Sequence, residues 1–273
     1  MSLFVASLAS GSNGNCYYIA NEKEAVLIDA GISCREIEKR MKLLGLSAQK
    51  LKAVFISHDH TDHIKGLSVL LKKFGLPVYI TKATAQNGNL FLPQYFSFSP
   101  EETVVVGDLH ITAFAKNHDA ADPCSFIVAC NGIKAGVFTD IGFACSEVIR
   151  YFKQCHAVFL ETNYDEEMLE KGNYPYHLKK RIRSDKGHLS NNQALELFKM
   201  HRSTFMSHLF LSHLSKNNNC PQLASKLFNT HAGSIKIIVA SRCEQTEVYT
   251  VTGLPAKETY YLHANKQMEF SFA

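Results

Sequence analysis

The sequence contains none of the long apolar segments that anchor proteins in membranes. No apolar run approaches the ~20 residues that a membrane-spanning helix needs. The N-terminal stretch Met1–Leu8 has no basic region and is interrupted at Gly11, so it predicts no secretory signal. The eight cysteines include no C-x-x-C pair, which favours reduced, structural thiols over a disulfide framework. We therefore expect a cytoplasmic protein with no membrane partner.

The chain also has little net charge and no break in composition. A formal charge of +4 over 273 residues is mild, so only its distribution can indicate a partner. No linker, short repeat or low-complexity tract divides the chain, and a hydrophobic content of 46% is ample for a large core. The order of predicted strands and helices indicates one α+β domain over residues 1–273, with two packed sheets flanked by helices.

A histidine-rich segment, Ser57–His63, is the most informative part of the sequence. It follows the apolar run Ala53–Ile56, which has the length and β-branched character of a buried strand. Its imidazoles and carboxylates are ligands that Zn²⁺, Mn²⁺ and Fe²⁺ accept, although a polar surface loop is the alternative. The spacing pairs the ligands of two adjacent metal ions: His58 with His60, and Asp62 with His63.

Three further strand ends carry candidate ligands. His118 lies between two predicted hairpins, Asp140 follows the second hairpin, and His213 follows an apolar strand. Singly, each has an ordinary explanation as a loop residue, a helix cap or a capped strand end. Together they predict that His118 completes the first metal position, that His213 completes the second, and that Asp140 bridges both. Two divalent ions held in this way are typical of metal-assisted hydrolysis.

These motifs resemble those of the metallo-β-lactamase superfamily, and the resemblance covers nearly the whole chain. Asp29, the histidine-rich segment, His118, Asp140 and His213 occur in the order that the superfamily has. The resemblance implies a four-layer αββα sandwich, in which helices flank two mixed sheets and a dinuclear site lies along one edge. It also implies that Asp29 supports the ligand loop without binding metal itself.

Four shorter segments narrow the resemblance to the YycJ/WalJ group. They are Ser10–Asn15, Glu161–Asp165, Gly187–Asn191 and Ser212–Asn218. Members of this group are regarded as metal-dependent DNA exonucleases acting 5′ to 3′, related to the RNase Z and RNase J phosphodiesterases. The resemblance therefore implies a nucleic-acid substrate, DNA rather than RNA. One departure is Tyr164, which stands where the group's E-x-N-H-D pattern has histidine.

A cationic segment, residues 174–186, favours a phosphodiester substrate without reference to any family. It concentrates five cations, two tyrosines and a histidine, which can hold phosphates and stack on bases. The alternative is a solvated helix face. The backbone amides of the turn Ser10–Asn15 could also bind an anion. The alternative is that this turn only reverses the chain between two strands. The candidate substrate-binding residues are Lys179, Lys180, Arg181, Arg183 and Asn15.

His188 follows the cationic segment and has no metal partner left in the predicted ligand set. Its position predicts either contact with phosphate or proton donation to the leaving oxygen. The alternative is a structural histidine that caps the next helix. The candidate catalytic residues are therefore Asp62, Asp140 and His188.

Two other functions remain compatible with the sequence. A thioester or other acyl hydrolase of the same fold would use the same ligands, but its substrates do not call for a cationic segment. A non-catalytic nucleic-acid-binding module would be expected to have lost ligands, whereas every expected ligand is present. An oxygen-reducing diiron protein is disfavoured because His60 stands where that branch has glutamate. The sequence gives no indication of oligomeric state.

Overall fold

Two mixed β-sheets packed face to face form the centre of the molecule, and helices cover both outer faces. The computed structural model describes residues 2–92 and 94–253. This is the αββα sandwich that the sequence predicts. The single-domain prediction for residues 1–273 includes residues 254–273, which lie outside the described residues.

The first sheet has six strands in the order β13-β1-β2-β3-β4-β5. The strands are β1 (Leu3–Ala9), β2 (Cys16–Ala20), β3 (Ala25–Ile28), β4 (Leu51–Phe55), β5 (Val78–Tyr79) and β13 (Tyr249–Val251). Strands β3, β4 and β5 are parallel, and the remaining neighbours are antiparallel. The helices around this sheet are α1 (Cys34–Leu43), α2 (Thr61–Ile64), α3 (Leu67–Phe74) and α4 (Lys82–Asn87).

The second sheet has seven strands in the order β12-β11-β10-β9-β8-β7-β6. The strands are β6 (Thr103–Val106), β7 (Leu109–Ala115), β8 (Cys124–Cys130), β9 (Ile133–Phe138), β10 (Ala157–Glu161), β11 (His208–Ser212) and β12 (Lys236–Val239). Strands β9 to β12 are parallel, whereas β6, β7 and β8 form antiparallel hairpins with β9. The helices that follow are α5 (Ser146–Phe152), α6 (Glu166–Lys171), α7 (Tyr176–Ile182), α8 (Asn191–His201) and α9 (Pro221–Asn229).

Alternation of side chains along the strands produces three apolar layers. In the layer between the sheets, aromatic rings of the two sheets are in contact: the ring centroids of Tyr17 and Phe159 are 4.9 Å apart, and those of Phe55 and Phe126 are 5.8 Å apart. A second layer packs α1 and α3 against the first sheet, and a third packs α5, α8 and α9 against the second. Burying each large side chain contributes roughly 1.5–3 kcal/mol, so these layers fix how the two sheets meet.

Most predicted elements are present, and the differences are local. The apolar spacing of Ile64, Leu67, Leu70 and Leu71 predicts one helix after the histidine-rich segment, but the structure has two, α2 and α3, separated at Gly66, where a Cβ would lie 1.9 Å from the carbonyl oxygen of Ile32. The apolar residues from Val78 predict a strand as far as Thr81, but β5 ends at Tyr79 and Thr81 caps α4, accepting a hydrogen bond from the amide of Thr84. Within the described ranges, no helix is both long and apolar enough to cross a membrane.

Candidate metal centre

The candidate ligands meet at one edge of the sandwich because their strands run in the same direction. Strands β9, β10 and β11 are parallel, and β7 has the same direction as β9 because each is antiparallel to β8. The carboxyl ends of such strands lie at one edge of a sheet. The residues that follow them are His118 after β7, Asp140 after β9, Glu161 at the end of β10, and His213 after β11.

Three residues at this edge have a left-handed backbone. The φ angles of Asp29, Asp140 and His213 are 63°, 56° and 55°. A non-glycine residue rarely adopts this conformation, which costs about 1–3 kcal/mol and is found where a side chain must be aimed. Asp29 and His213 directly follow β3 and β11, and Asp140 lies two residues after the end of β9.

The first predicted metal position brings together His58, His60 and His118, which provide nitrogen atoms within 4.8 Å of one another. Each ring is oriented through its other nitrogen. His58 Nδ1 lies 2.9 Å from Ser57 Oγ, His60 Nε2 lies 3.2 Å from the carbonyl oxygen of Asp119, and His118 Nδ1 lies 3.0 Å from that of Gly187. Donating to these oxygens leaves the opposite nitrogen of each ring with a free lone pair.

The second predicted position brings together Asp62, His63 and His213. Asp62 Oδ2 lies 3.5 Å from Nε2 of both imidazoles. His63 Nδ1 donates to Asp29 and His213 Nδ1 donates to Glu161, at 2.7 and 3.0 Å. A carboxylate can only accept, so these contacts place the proton on Nδ1 and direct Nε2 at the cluster.

Asp140 lies between the two positions. Its Oδ2 is 3.1 Å from His63 Nε2, while its Oδ1 is 3.4 Å from His213 Nδ1 and 3.8 Å from His118 Nε2. Burial opposes ionisation, but His213 and His63 hold the pKa of Asp140 well below its usual value. An ionised carboxylate within reach of both groups is the kind of ligand that two adjacent cations can share.

The unpaired donor atoms of this cluster suit a divalent cation. Among the described residues, the Nε2 atoms of His58, His118 and His213 are buried and have no hydrogen-bond partner. Burial keeps the pKa of His58 well below its usual value and lowers that of His118 to about 4, so both rings are neutral. Neutral imidazole beside an ionised carboxylate is a donor set for zinc-like metals, and the residues therefore fit a divalent ion.

Asp29 lies behind the candidate ligands. It is fully buried, and its Oδ1 accepts a hydrogen bond from the amide of Ser57 at 2.8 Å. Its Oδ2 accepts from Ser57 Oγ at 2.9 Å and from His63 Nδ1 at 2.7 Å. One carboxylate thus fixes both the start of the histidine-rich segment and the tautomer of a ligand.

Replacing Asp29 with Asn should weaken metal binding by about 10–100-fold, the usual effect of losing a group that orients a ligand. Asparagine tolerates the left-handed backbone, and its oxygen can still accept from the amide of Ser57, but its amide group cannot accept from Ser57 Oγ or from the Nδ1 proton of His63. Titration of the metal-free protein with Zn²⁺ measures the change. Asp108→Asn, which alters an exposed carboxylate paired with Lys23, is the control. Equal affinities in the two variants would limit Asp29 to a role in folding.

Glu161 is the site residue that sequence reasoning missed. It is fully buried, and its Oε1 lies 2.8 Å from His188 Nδ1 and 3.0 Å from His213 Nδ1. Its Oε2 accepts from the amides of Ile141 and Leu189. Burial alone would raise its pKa, but His188 and His213 lower it to about 2. An acidic residue that ends an apolar strand was the available signal, the same one that identified Asp140.

His188 lies beside the cluster but outside the two predicted ligand groups. Its Nδ1 faces Glu161, and the side chain is 18% exposed, whereas the ligands around it are almost fully buried. Its ring centroid is 5.2 Å from that of His118 and 5.3 Å from that of His213. An imidazole oriented by a carboxylate and open to solvent can exchange a proton with a bound molecule.

The predicted substrate-binding residues fall into two groups. Asn15 is fully buried, and its Nδ2 lies 3.1 Å from both Asp62 Oδ2 and His63 Nε2, so it has no surface for a substrate and contacts the ligands instead. The four cations lie on α7 or directly after it. Arg181 pairs with Asp119 beside the metal centre, whereas Lys179 and Arg183 reach Glu170 and Lys180 is exposed.

Tyr164, the departure from the group's pattern, does not point at the metal centre. It is buried with Leu169 and Ile182 in a small apolar cluster under α6 and α7. Burial raises its pKa to about 12, which makes it unsuited to proton exchange at neutral pH. Its backbone pairs with Ser190 and anchors the segment that carries His188.

Comparisons with known proteins agree with this geometry. A family model described as the β-lactamase superfamily domain matches residues 24–213. The chain is 36% identical over 229 residues to the exodeoxyribonuclease YycJ of Bacillus anthracis, covering 82% of this chain and 87% of that one. It is 33% identical to the exodeoxyribonuclease WalJ of Streptococcus pneumoniae, covering 80% and 83%. The metallo-β-lactamase fold protein YhfI of Bacillus subtilis superposes with a TM-score of 0.71 at 18% identity, covering 92% and 100%.

Proposed function

This chain belongs to the metallo-β-lactamase superfamily and, within it, to the group of YycJ and WalJ; from that premise we propose that it is a dinuclear metal-dependent phosphodiesterase that degrades DNA from the 5′ end. The observation that carries the proposal is the convergence of seven donor side chains at one edge, with a solvent-accessible imidazole beside them. The relatives that suggest DNA are named exodeoxyribonucleases. The seven donors are His58, His60, Asp62, His63, His118, Asp140 and His213.

Two divalent ions, Zn²⁺, Mn²⁺ or Fe²⁺, fit the proposal, one in each ligand group with Asp140 between them. When bound, such a pair supplies a hydroxide nucleophile at neutral pH and neutralises charge on the phosphate. The protein's own contribution is to fix the imidazole tautomers through Asp29, Ser57 and Glu161. Asn15 holds Asp62 in place from behind.

His188 supplies the proton that the chemistry then needs. An alkoxide leaving from a phosphodiester is a poor leaving group, and a general acid that protonates it typically accelerates such a step by ~10²–10⁴-fold. Glu161 binds Nδ1 of His188, so Nε2 is the atom free to face the leaving oxygen. The same carboxylate orients His213, which ties the proton donor to the metal ligands.

The cations of α7 hold the nucleic acid in this proposal. Replacing Lys179, Lys180, Arg181 and Arg183 together by alanine should weaken DNA binding and flatten its salt dependence. Each lost phosphate contact removes about one unit from the slope of log K against log salt. Fluorescence anisotropy at several salt concentrations, with a non-cleavable DNA, measures the slope. A slope equal to that of the native protein would mean that these cations only face solvent.

A cleavage assay on end-labelled nucleic acid tests the proposed function directly. Single- and double-stranded DNA and RNA are incubated with the metal-free protein and with each of Zn²⁺, Mn²⁺ and Fe²⁺. Release of mononucleotides from a 5′ label on DNA, dependent on added metal, is the expected result. Release from the 3′ end would correct the polarity, and faster RNA cleavage would correct the substrate. No cleavage with any metal would overturn the proposal.

The competing functions make different predictions in the same experiment. An acyl hydrolase would cleave thioesters or lactams and leave nucleic acid intact. A non-catalytic module would bind DNA with the same affinity whether or not the metal ligands are present. We further propose that residues 1–273 form a single domain and that the protein works in the cytoplasm. The eight free cysteines support the second point.

A further inference from the structure

Asp119, which directly follows the ligand His118, has its two carboxylate oxygens against different partners. Oδ1 lies 3.5 Å from His118 Nε2 and 4.0 Å from His60 Nε2. In the part of the chain that the structure describes, this oxygen is buried without a hydrogen-bond partner. Oδ2 pairs with Nε of Arg181, on the cationic helix α7. A single side chain thus connects the metal centre to the surface proposed for nucleic acid.

The loop around Asp119 is held in place by backbone contacts. The carbonyl oxygen of Asp119 accepts from His60 Nε2 at 3.2 Å, and its amide donates to the carbonyl of Lys186 at 3.1 Å. Two residues later, the amide of Ala121 donates to Asp59 Oδ1 at 2.8 Å, inside the histidine-rich segment. The position of the carboxylate is therefore fixed by the same segment that supplies four of the candidate metal ligands.

A buried carboxylate oxygen without a donor is costly unless a cation completes it. Among the described residues, the first metal position offers three imidazoles and, apart from Asp140, no carboxylate of its own. We propose that Asp119 Oδ1 is an additional donor to this position, and that Asp119 Oδ2 holds Arg181 as the phosphate-contacting residue of α7. The assignment of Arg181 to a phosphate contact rests on the proposed function.

Arg181 differs from the other cations of α7 because its guanidinium contacts Asp119, next to a candidate metal ligand. Arg183 pairs with Glu170, and Lys179 donates to the backbone carbonyl of the same residue, both away from the metal ligands. Within the described residues, only Nε of Arg181 has a hydrogen-bond partner, which leaves the two terminal nitrogens of a planar fork for a phosphate. Its side chain is 54% exposed, so a bound strand can reach it.

Metal titration tests the first half without any nucleic acid. The full-length, metal-free protein is titrated with Zn²⁺ against a competing chelator, comparing Asp119→Asn with Asp122→Asn, which removes the same charge from an exposed residue of the same loop. Asp119→Asn should lower the affinity of one of the two binding events by ~10-fold or more, and Asp122→Asn should stay within about twofold. Equal affinities in the two variants would overturn the assignment of Oδ1 as a donor.

DNA cleavage and binding test the second half. Arg181→Ala is compared with Arg150→Ala, because Arg150 is also 54% exposed and also paired with carboxylates, but lies on α5. Arg181→Ala should raise KM by ~10-fold, lose about one unit of salt slope, and retain native Zn²⁺ affinity. In the Asp119→Asn background, removing Arg181 should cost less, because its orientation is already lost. Equal effects of the two arginine variants would overturn the second half.

The experiments distinguish failure of the Asp119 assignment from failure of the proposed function. If Asp119→Asn loses Zn²⁺ affinity but the native protein does not cleave DNA, the donor assignment is supported and the nuclease proposal is wrong. If the native protein cleaves DNA but Asp119→Asn keeps native Zn²⁺ affinity, the nuclease proposal is supported and the donor assignment is wrong.

Discussion

Replacing Asp140 with alanine should perturb both metal positions at once and abolish cleavage. Its carboxylate lies near both groups, with Oδ2 3.1 Å from His63 Nε2 and Oδ1 3.4 Å from His213 Nδ1 and 3.8 Å from His118 Nε2. Removing a group that only orients a ligand costs about 10–100-fold in metal affinity, so the loss of a shared ligand should exceed ~10²-fold for the weaker ion. Calorimetric titration with Zn²⁺ and with Mn²⁺ measures both binding events.

His213→Ala is the matched variant for this prediction. His213 belongs to the second group through Nε2, which lies 3.5 Å from Asp62, so its loss should weaken chiefly one binding event. The contrast between one affected event and two distinguishes a terminal ligand from a bridging one. Two unperturbed events in Asp140→Ala would show that the carboxylate does not bridge.

Replacing His188 with alanine should reduce cleavage of ordinary DNA by ~10²-fold or more while both metal ions stay bound. In the proposed mechanism the imidazole donates through Nε2 to the leaving oxygen, while its Nδ1 lies 2.8 Å from Glu161 Oε1. A nitrophenyl phosphodiester has an activated leaving group that needs little protonation, so its hydrolysis should fall much less. Initial rates on the two substrates measure the difference.

The comparison of substrates separates three roles for His188. Equal losses on DNA and on the nitrophenyl ester would make it a group that orients phosphate. A loss of bound metal or of thermal stability would make it structural. The exposed His110, on β7, provides the control substitution for the same two substrates.

The fold could be predicted because it depends on patterns that are local in the chain. The continuous apolar run Cys16–Ala20 indicates a buried strand, and Ser190 with Gln193 forms the capping box that begins the helix Asn191–His201. The candidate ligands were singled out because an imidazole or a carboxylate soon after an apolar strand is unusual, and their binding of metal stays a prediction. Parallel strands then bring such residues together, although the chain separates His58 from His213 by most of its length.

Contacts between distant segments could not be predicted in this way. Glu161 was recognised as part of a motif but not as the partner of His188 and His213, since nothing local says which rings it meets. Asn15 was expected to face a substrate, but burial places it against Asp62. Helices α4 to α7 were missed because six or seven residues give too few turns for a periodic pattern.

The left-handed backbone at Asp29, Asp140 and His213 has a consequence for the evolution and engineering of this protein. At each of the three positions glycine would adopt the observed φ with less strain, by about 1 kcal/mol. Relief of backbone strain alone would therefore favour glycine at the positions where the proposed function requires a carboxylate or an imidazole. At Asp29 the hydrogen bonds to Ser57 and His63 oppose that gain, whereas at Asp140 and His213 selection for thermal stability alone conflicts with the proposed function, so those two residues should be held constant in a stability screen.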